Sequence, residues 1–218
     1  MKPSLIVAAL SVIAANSLSA QTPAAKFVDS ARVEIDKAAL TNDTARLGNA
    51  VVLLDRALIA FPNDAYVLHY RGYARYRQAL ITMGTNLQAA SPFIEKAVAD
   101  LQVSSDKLQW PETWSLLYAL NGFRLALDPS QAMTLGPQLG EFAAHARQLG
   151  PNNPRVLYME AVGTFRTPVE YGGGADKARV LLDRAMKAFE TDKPAPLAPA
   201  WGREAAMEFK KELDKSAQ

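Results

Sequence analysis

The chain has 218 residues, no cysteine, and 24 basic against 22 acidic residues. That balance supplies no global field to draw in nucleic acid or an acidic membrane, and the absence of cysteine excludes a disulfide framework and a thiol nucleophile. Apolar residues make up 49%, with Ala and Leu heavily used, a composition that favours helices.

The chain begins like a secretory signal peptide. Lys2 gives a positive start, Leu5 to Ala15 is apolar or small, and Asn16 to Ala20 is small and polar apart from Leu18. The run is too short to span a membrane, which takes about 20 apolar residues. Cleavage is expected after Ser19 or Ala20. Ser19 fits better, because it leaves the small Ser17 three residues back. No later run is long enough to span, and residues 21–218 are expected to form one exported domain, periplasmic or secreted.

A first helix is predicted over Pro23 to Leu40, with Phe27, Ala31, Ile35 and Ala38 at helical spacing. Thr41-Asn42-Asp43 breaks it and caps a second helix, about Thr44 to Phe61. Pro62 cannot continue that helix, and Asn63-Asp64 start the next turn. A third helix runs from Ala65 to Leu80. After a longer turn over Ile81 to Ala90, Ser91-Pro92 reads as an N-cap with proline in the first helical position. The helix that follows carries Phe93, Ile94, Ala97, Val98 and Leu101, and Ser104 to Trp110 is a loop. Further helices are expected over Pro111 to Ala126, Pro137 to Leu149, Arg155 to Arg166 and Ala175 to Phe189. Between them lie a loop over Asp128 to Gly136 and a Gly-rich turn over Thr167 to Gly174. Thr191 to Trp201 is a Pro-rich connector. Trp201, Ala205, Phe209 and Leu213 then make a narrow apolar stripe on a last helix that is otherwise Glu and Lys.

Two stretches echo each other. Ala50 to Phe61 reads AVVLLDRALIAF and Ala178 to Phe189 reads ARVLLDRAMKAF, with nine of twelve positions identical. Repetition at a distance signals a repeat architecture. Ala50, Leu54 and Ala57, then Pro62-Asn63-Asp64-Ala65, then Leu68, Arg71-Gly72, Ala74, Tyr76 and Gln78 resemble the tetratricopeptide repeat without a gap. Small Ala50, Ala57 and Gly72 let helices approach closely, and Leu54 and Leu68 fill the space between them. In the third unit Tyr118 stands where a small residue is expected. Asn153-Pro154-Arg155, Thr167-Pro168, Tyr171-Gly172-Gly173-Gly174 and Trp201-Gly202 are similar to a group of exported bacterial tetratricopeptide-repeat proteins with no assigned activity.

The resemblance implies an all-α fold, a right-handed α-solenoid of about four helix pairs plus a C-terminal capping helix. The units fall at about 24–62, 63–110, 111–151 and 152–190, with the cap over 201–216. The echoed stretches become the inner packing helices of the first and last units. The family's concave groove binds peptide segments, and on the third helix it would hold Tyr66, His69, Tyr73, Tyr76 and Arg77. Their steps of three and four place them on one face. Tyrosine offers broad contact at low entropy cost, and arginine grips a carboxylate with two hydrogen bonds.

Other chemistry finds little footing. Gly172-Gly173-Gly174 lacks the spacing of a phosphate loop. His69 and His145 sit in different units with no metal-ligand pattern beside them, so no metal or cofactor is expected. There is no GxSxG, and nothing in the spacing selects Glu160 and Glu170 as a catalytic pair. The expected function is therefore a non-enzymatic exported scaffold that binds a protein or peptide. A periplasmic ligand-binding accessory of a transport system is the alternative.

Overall fold

A computed structural model describes residues 22–216; the signal-peptide reading of residues 1–20 lies outside them. The described chain is all helical, with no strand. Nine α-helices follow one another: α1 (Ala25–Thr41), α2 (Thr44–Ala60), α3 (Ala65–Met83), α4 (Ser91–Ser105), α5 (Pro111–Leu127), α6 (Ala132–Leu149), α7 (Pro154–Arg166), α8 (Ala175–Glu190) and α9 (Arg203–Ser216). Successive helices pack in antiparallel neighbours, α1 with α2, α3 with α4, α5 with α6, and α7 with α8. α3 and α5 also touch, as do α5 and α7. The α6–α7 contact is sparse by comparison with α2–α3 and α4–α5.

The start signals act as their chemistry requires. Asp43 accepts from the Ala45 and Arg46 amides, Asp64 from Tyr66 and Val67, and Asn153 from Arg155 and Val156. Each side chain satisfies donors that have no partner inside the helix. Asn42 and Asn63 take positive φ at the turns, 53° and 58°, which asparagine tolerates better than most residues. No helix among the described residues is long and apolar enough to cross a membrane.

α3 runs on to Met83 and α4 to Ser105, past the ends expected from the sequence, and three further boundaries differ for identifiable reasons. Ser91 does not cap α4, because a short 3-10 turn over Gln88–Ala90 already leads into the helix; Asn86 starts that turn instead, accepting from the Ala89 amide. α6 begins at Ala132 and carries Pro137 inside it, as its sixth residue, where the missing N–H leaves the Met133 carbonyl without its intrahelical partner. Trp201 lies outside α9. Gly202, at φ +111°, separates it from the helix, whose buried stripe is Ala206, Phe209 and Leu213.

The echo is structural. Ala50, Leu54 and Ala57 of α2 are buried, and so are Ala178, Leu182 and Ala185 of α8. Asp55 of α2 reaches Arg71 of α3 at 2.6 Å, and Asp183 of α8 reaches Lys210 of α9 at 3.9 Å. Thus α9 stands to α8 as α3 stands to α2. The main core spans α1 to α5 and takes in Met159 of α7 and Leu197 of the segment before α9, and a second cluster joins α7, α8 and α9.

Candidate functional site

α3 carries the site. One side of it packs on α4, where Gly72 is required: a Cβ there would lie 2.6 Å from Leu101 Cγ. On that side Arg71 and Arg75 share Asp100, and Arg71 also holds Asp55. The opposite side is the inner face. It looks toward α1, α5, α7 and the connector over residues 191–202.

Two aromatic groups form there. Tyr66, His69 and Tyr70 all meet Trp110 edge-on, with centroids 5.1, 5.0 and 6.4 Å away. Further along, four rings form a near-parallel row. Trp201 stacks on Tyr73 (5.0 Å, 15°), Tyr73 on Tyr76 (6.3 Å, 18°), and Tyr76 on Phe123 of α5 (5.6 Å, 6°). Offset stacking of this kind suits the ring quadrupoles.

The five residues singled out in the sequence do share this face, but not in an open groove. His69 is wholly buried, and Tyr73 and Tyr76 are 4% and 6% exposed. Tyr66 and Arg77 are half-buried. Trp110 and Thr113 enclose His69, Phe123 and Met159 enclose Tyr76, and the connector covers the part of the face around Tyr70 and Tyr73. There Tyr70 donates from its hydroxyl to the Leu197 carbonyl at 2.8 Å, and Trp201 covers Tyr73.

The electrostatics are unusual. Burial pushes the phenols of Tyr73 and Tyr158 well above the ordinary range and that of Tyr76 to about 12, with Arg77 opposing in each case. Arg77 is thus the cation facing three neutral tyrosines. No carboxylate pairs with it among the described residues, and its buried Nε has no partner. His69 is different. Burial holds its imidazole down to about 3, with Nδ1 2.9 Å from Thr113 Oγ1 and Nε2 without a partner.

Beneath the connector lies an ion network. Arg155 is 1% exposed. It binds Asp192 at 2.5 Å, stands 3.9 Å from Glu112, and lies over the Phe189 ring. Burial raises the Glu112 carboxyl, against a 2.7 Å hydrogen bond from Asn153.

Sequence reasoning missed Tyr70, Trp110, Phe123, Tyr158, Arg155 and the placement of Trp201. Tyr70 lay one residue from His69 at a helical step from Tyr66 and Tyr73, so its spacing was a usable signal. The others come from elements brought in only by the fold. The amides of Gly172, Gly173 and Gly174 donate to Val169, Pro168 and Thr164 carbonyls, so that turn spends its donors on itself. No cluster of three or more metal-ligating side chains occurs among the described residues.

No family model matches the chain, and no curated protein matches it. Among solved structures it is similar to the HusA haemophore from Porphyromonas gingivalis. The TM-score is 0.68 at 22% identity, covering 91% of this chain and 98% of that one. The likeness is one of fold, over nearly the full length of both.

Proposed function

We propose that this chain is an exported, non-enzymatic binding protein, and that its inner face takes a flat, largely apolar ligand bearing a carboxylate. Haem is the first candidate. The observation that carries this reading is the row of near-parallel rings, Tyr73, Tyr76 and Phe123, flanked by the unpaired Arg77. Ring faces suit a planar apolar body, and an uncompensated guanidinium suits a carboxylate, which it grips with two parallel hydrogen bonds. The haemophore whose fold this chain resembles supports the choice of ligand. The signal-like leader supports export, and the sequential packing of helix pairs supports a tetratricopeptide-like array.

Titration of the purified protein with haemin, followed by the Soret band, tests it. Saturable binding is expected, weakened about tenfold or more by Arg77→Ala, the loss of one charge-assisted contact. No saturable Soret change would refute the reading. Peptide binding on the same face is the second reading. It is favoured by the way Tyr70 holds a carbonyl of the Pro-rich connector, since aromatic-lined surfaces recognise such segments. It predicts capture of a discrete protein partner that Tyr73→Ala with Arg77→Ala abolishes while helical circular dichroism is kept.

A further inference from the structure

The connector is a strange object to find on the inner face. Residues 191–202 include Pro194, Pro196 and Pro199, which have no N–H to donate. Backbone hydrogen bonds join it to other elements only at its two ends, where the Thr191 amide donates to Ala188 of α8 and the Gly202 carbonyl accepts from Ala206 of α9; among the described residues none fixes residues 192–201 to α3. It is fastened by side chains instead: the Tyr70 hydroxyl on the Leu197 carbonyl, Trp201 stacked on Tyr73, Asp192 on Arg155, and the buried Leu197 and Pro199. The seat is imperfect in two places. Leu197 sits at φ +63°, in the left-handed region that its side chain disfavours. Trp201 Nε1 is buried with no protein acceptor, which carries a desolvation penalty. A residual gap of about 10 Å³ remains between Trp201 and Arg32, Asp36, Tyr70 and Tyr73.

Both ends of the segment are fixed independently of that seat. α9 packs on α8 and α7 through Ala206, Phe209 and Leu213. The segment can therefore lift from α3 without α9 leaving its place, with Gly202 as the pivot.

We propose that residues 191–202 are a displaceable strap over the ligand site, and that Trp201 occupies the place on Tyr73 where the flat ring of the ligand docks. This deepens the ligand reading above and rests on it. The row Trp201–Tyr73–Tyr76–Phe123 begins with the one ring that belongs to no helix. A planar ligand replacing Trp201 continues the row unchanged, and the half-buried Arg77, one turn along α3 from Tyr73, meets its carboxylate. The strap covers Tyr70 and Tyr73 while the site is empty.

Two measurements test this. Native-state hydrogen exchange on the full protein reads the strap directly. Amides of residues 192–202 are expected to exchange at least a hundredfold faster than those in the middle of α3 and α7, through local opening. Exchange of the strap only with global unfolding overturns the proposal. Haemin titration then compares wild type with Trp201→Ala and Trp201→Phe. Removing the competing ring raises haemin affinity severalfold in Trp201→Ala, while Trp201→Phe stays near wild type. Unchanged or weaker binding by Trp201→Ala overturns the proposal. If no variant binds haemin, the ligand reading of the preceding section and the docking role of Trp201 fall together, even where exchange shows an opening strap.

Discussion

His69 shows how differently a residue reads by type and by place. In the sequence it belongs to a polar, ligand-facing row; in the fold it is a wholly buried neutral imidazole between Trp110, Tyr70 and Thr113. Its folded pKa is held near 3 by burial, below an ordinary value of 6.5. As pH falls below about 6.5, the unfolded chain takes up a proton that the folded chain refuses. Stability is therefore lost as pH falls from about 6.5 toward 3, at up to about 1.4 kcal/mol per unit. Glu112 and Asp36 act in the opposite sense, because burial raises their folded pKa values. The comparison that isolates the histidine is between wild type and His69→Gln by urea unfolding at pH 7 and pH 5. Wild type should lose about 2 kcal/mol more than the variant over that interval. Equal losses would show that His69 titrates near its ordinary value.

At the scale of elements, the sequence was most legible where chemistry is local. The cap at Asp43, the stop at Pro62 and the helix start at Asn63-Asp64 depend on residues a few positions apart, and each appears where the pattern puts it. Ser91 misled because capping needs an extended backbone, and a 3-10 turn had already set the helical one. Tyr118 was puzzling because its partner is distant. Its hydroxyl enters the space that a Cβ on Gly163 of α7 would fill, 1.9 Å away. The large residue on α5 is matched by the smallest on α7, so one crossing keeps its close approach. Gly163→Ala should therefore destabilise by about 1–3 kcal/mol despite alanine's better helix propensity. In a Tyr118→Ala background the same change should be neutral to stabilising by up to about 1 kcal/mol, the propensity gain left once the clash is gone. A thermal or chemical unfolding cycle of the four proteins checks it, and additive effects would mean that the two helices do not share this space.

For the whole molecule the decisive feature is the connector, and it was the least legible. Trp201 kept helical spacing with Ala205, Phe209 and Leu213, so periodicity assigned it to the last helix. Only tertiary structure shows it turned away at Gly202 and laid across α3. Much of the candidate site was hidden for the same reason: Phe123, Tyr158 and Arg155 come from α5 and α7, and nothing in the order of residues says which rings will stack.

Arg155 binds this arrangement together. It is a buried cation of α7 between Glu112 of α5 and Asp192 at the root of the connector, and Gly202 packs beside it in van der Waals contact. Removing one member of a buried ion set leaves the others uncompensated, which typically costs about 3–5 kcal/mol. Arg155→Ala should lose stability on that scale. Asp192→Asn should lose less, since Glu112 still compensates the arginine and the amide can still accept its hydrogen bond. The two substitutions also differ in what they do to the strap. Asp192→Asn weakens its attachment without emptying the core, so residues 192–202 should exchange faster while α5 and α7 keep their protection. If Asp192→Asn accelerates exchange throughout α5 and α7 as well, the connector is part of the cooperative core and not a separately opening element.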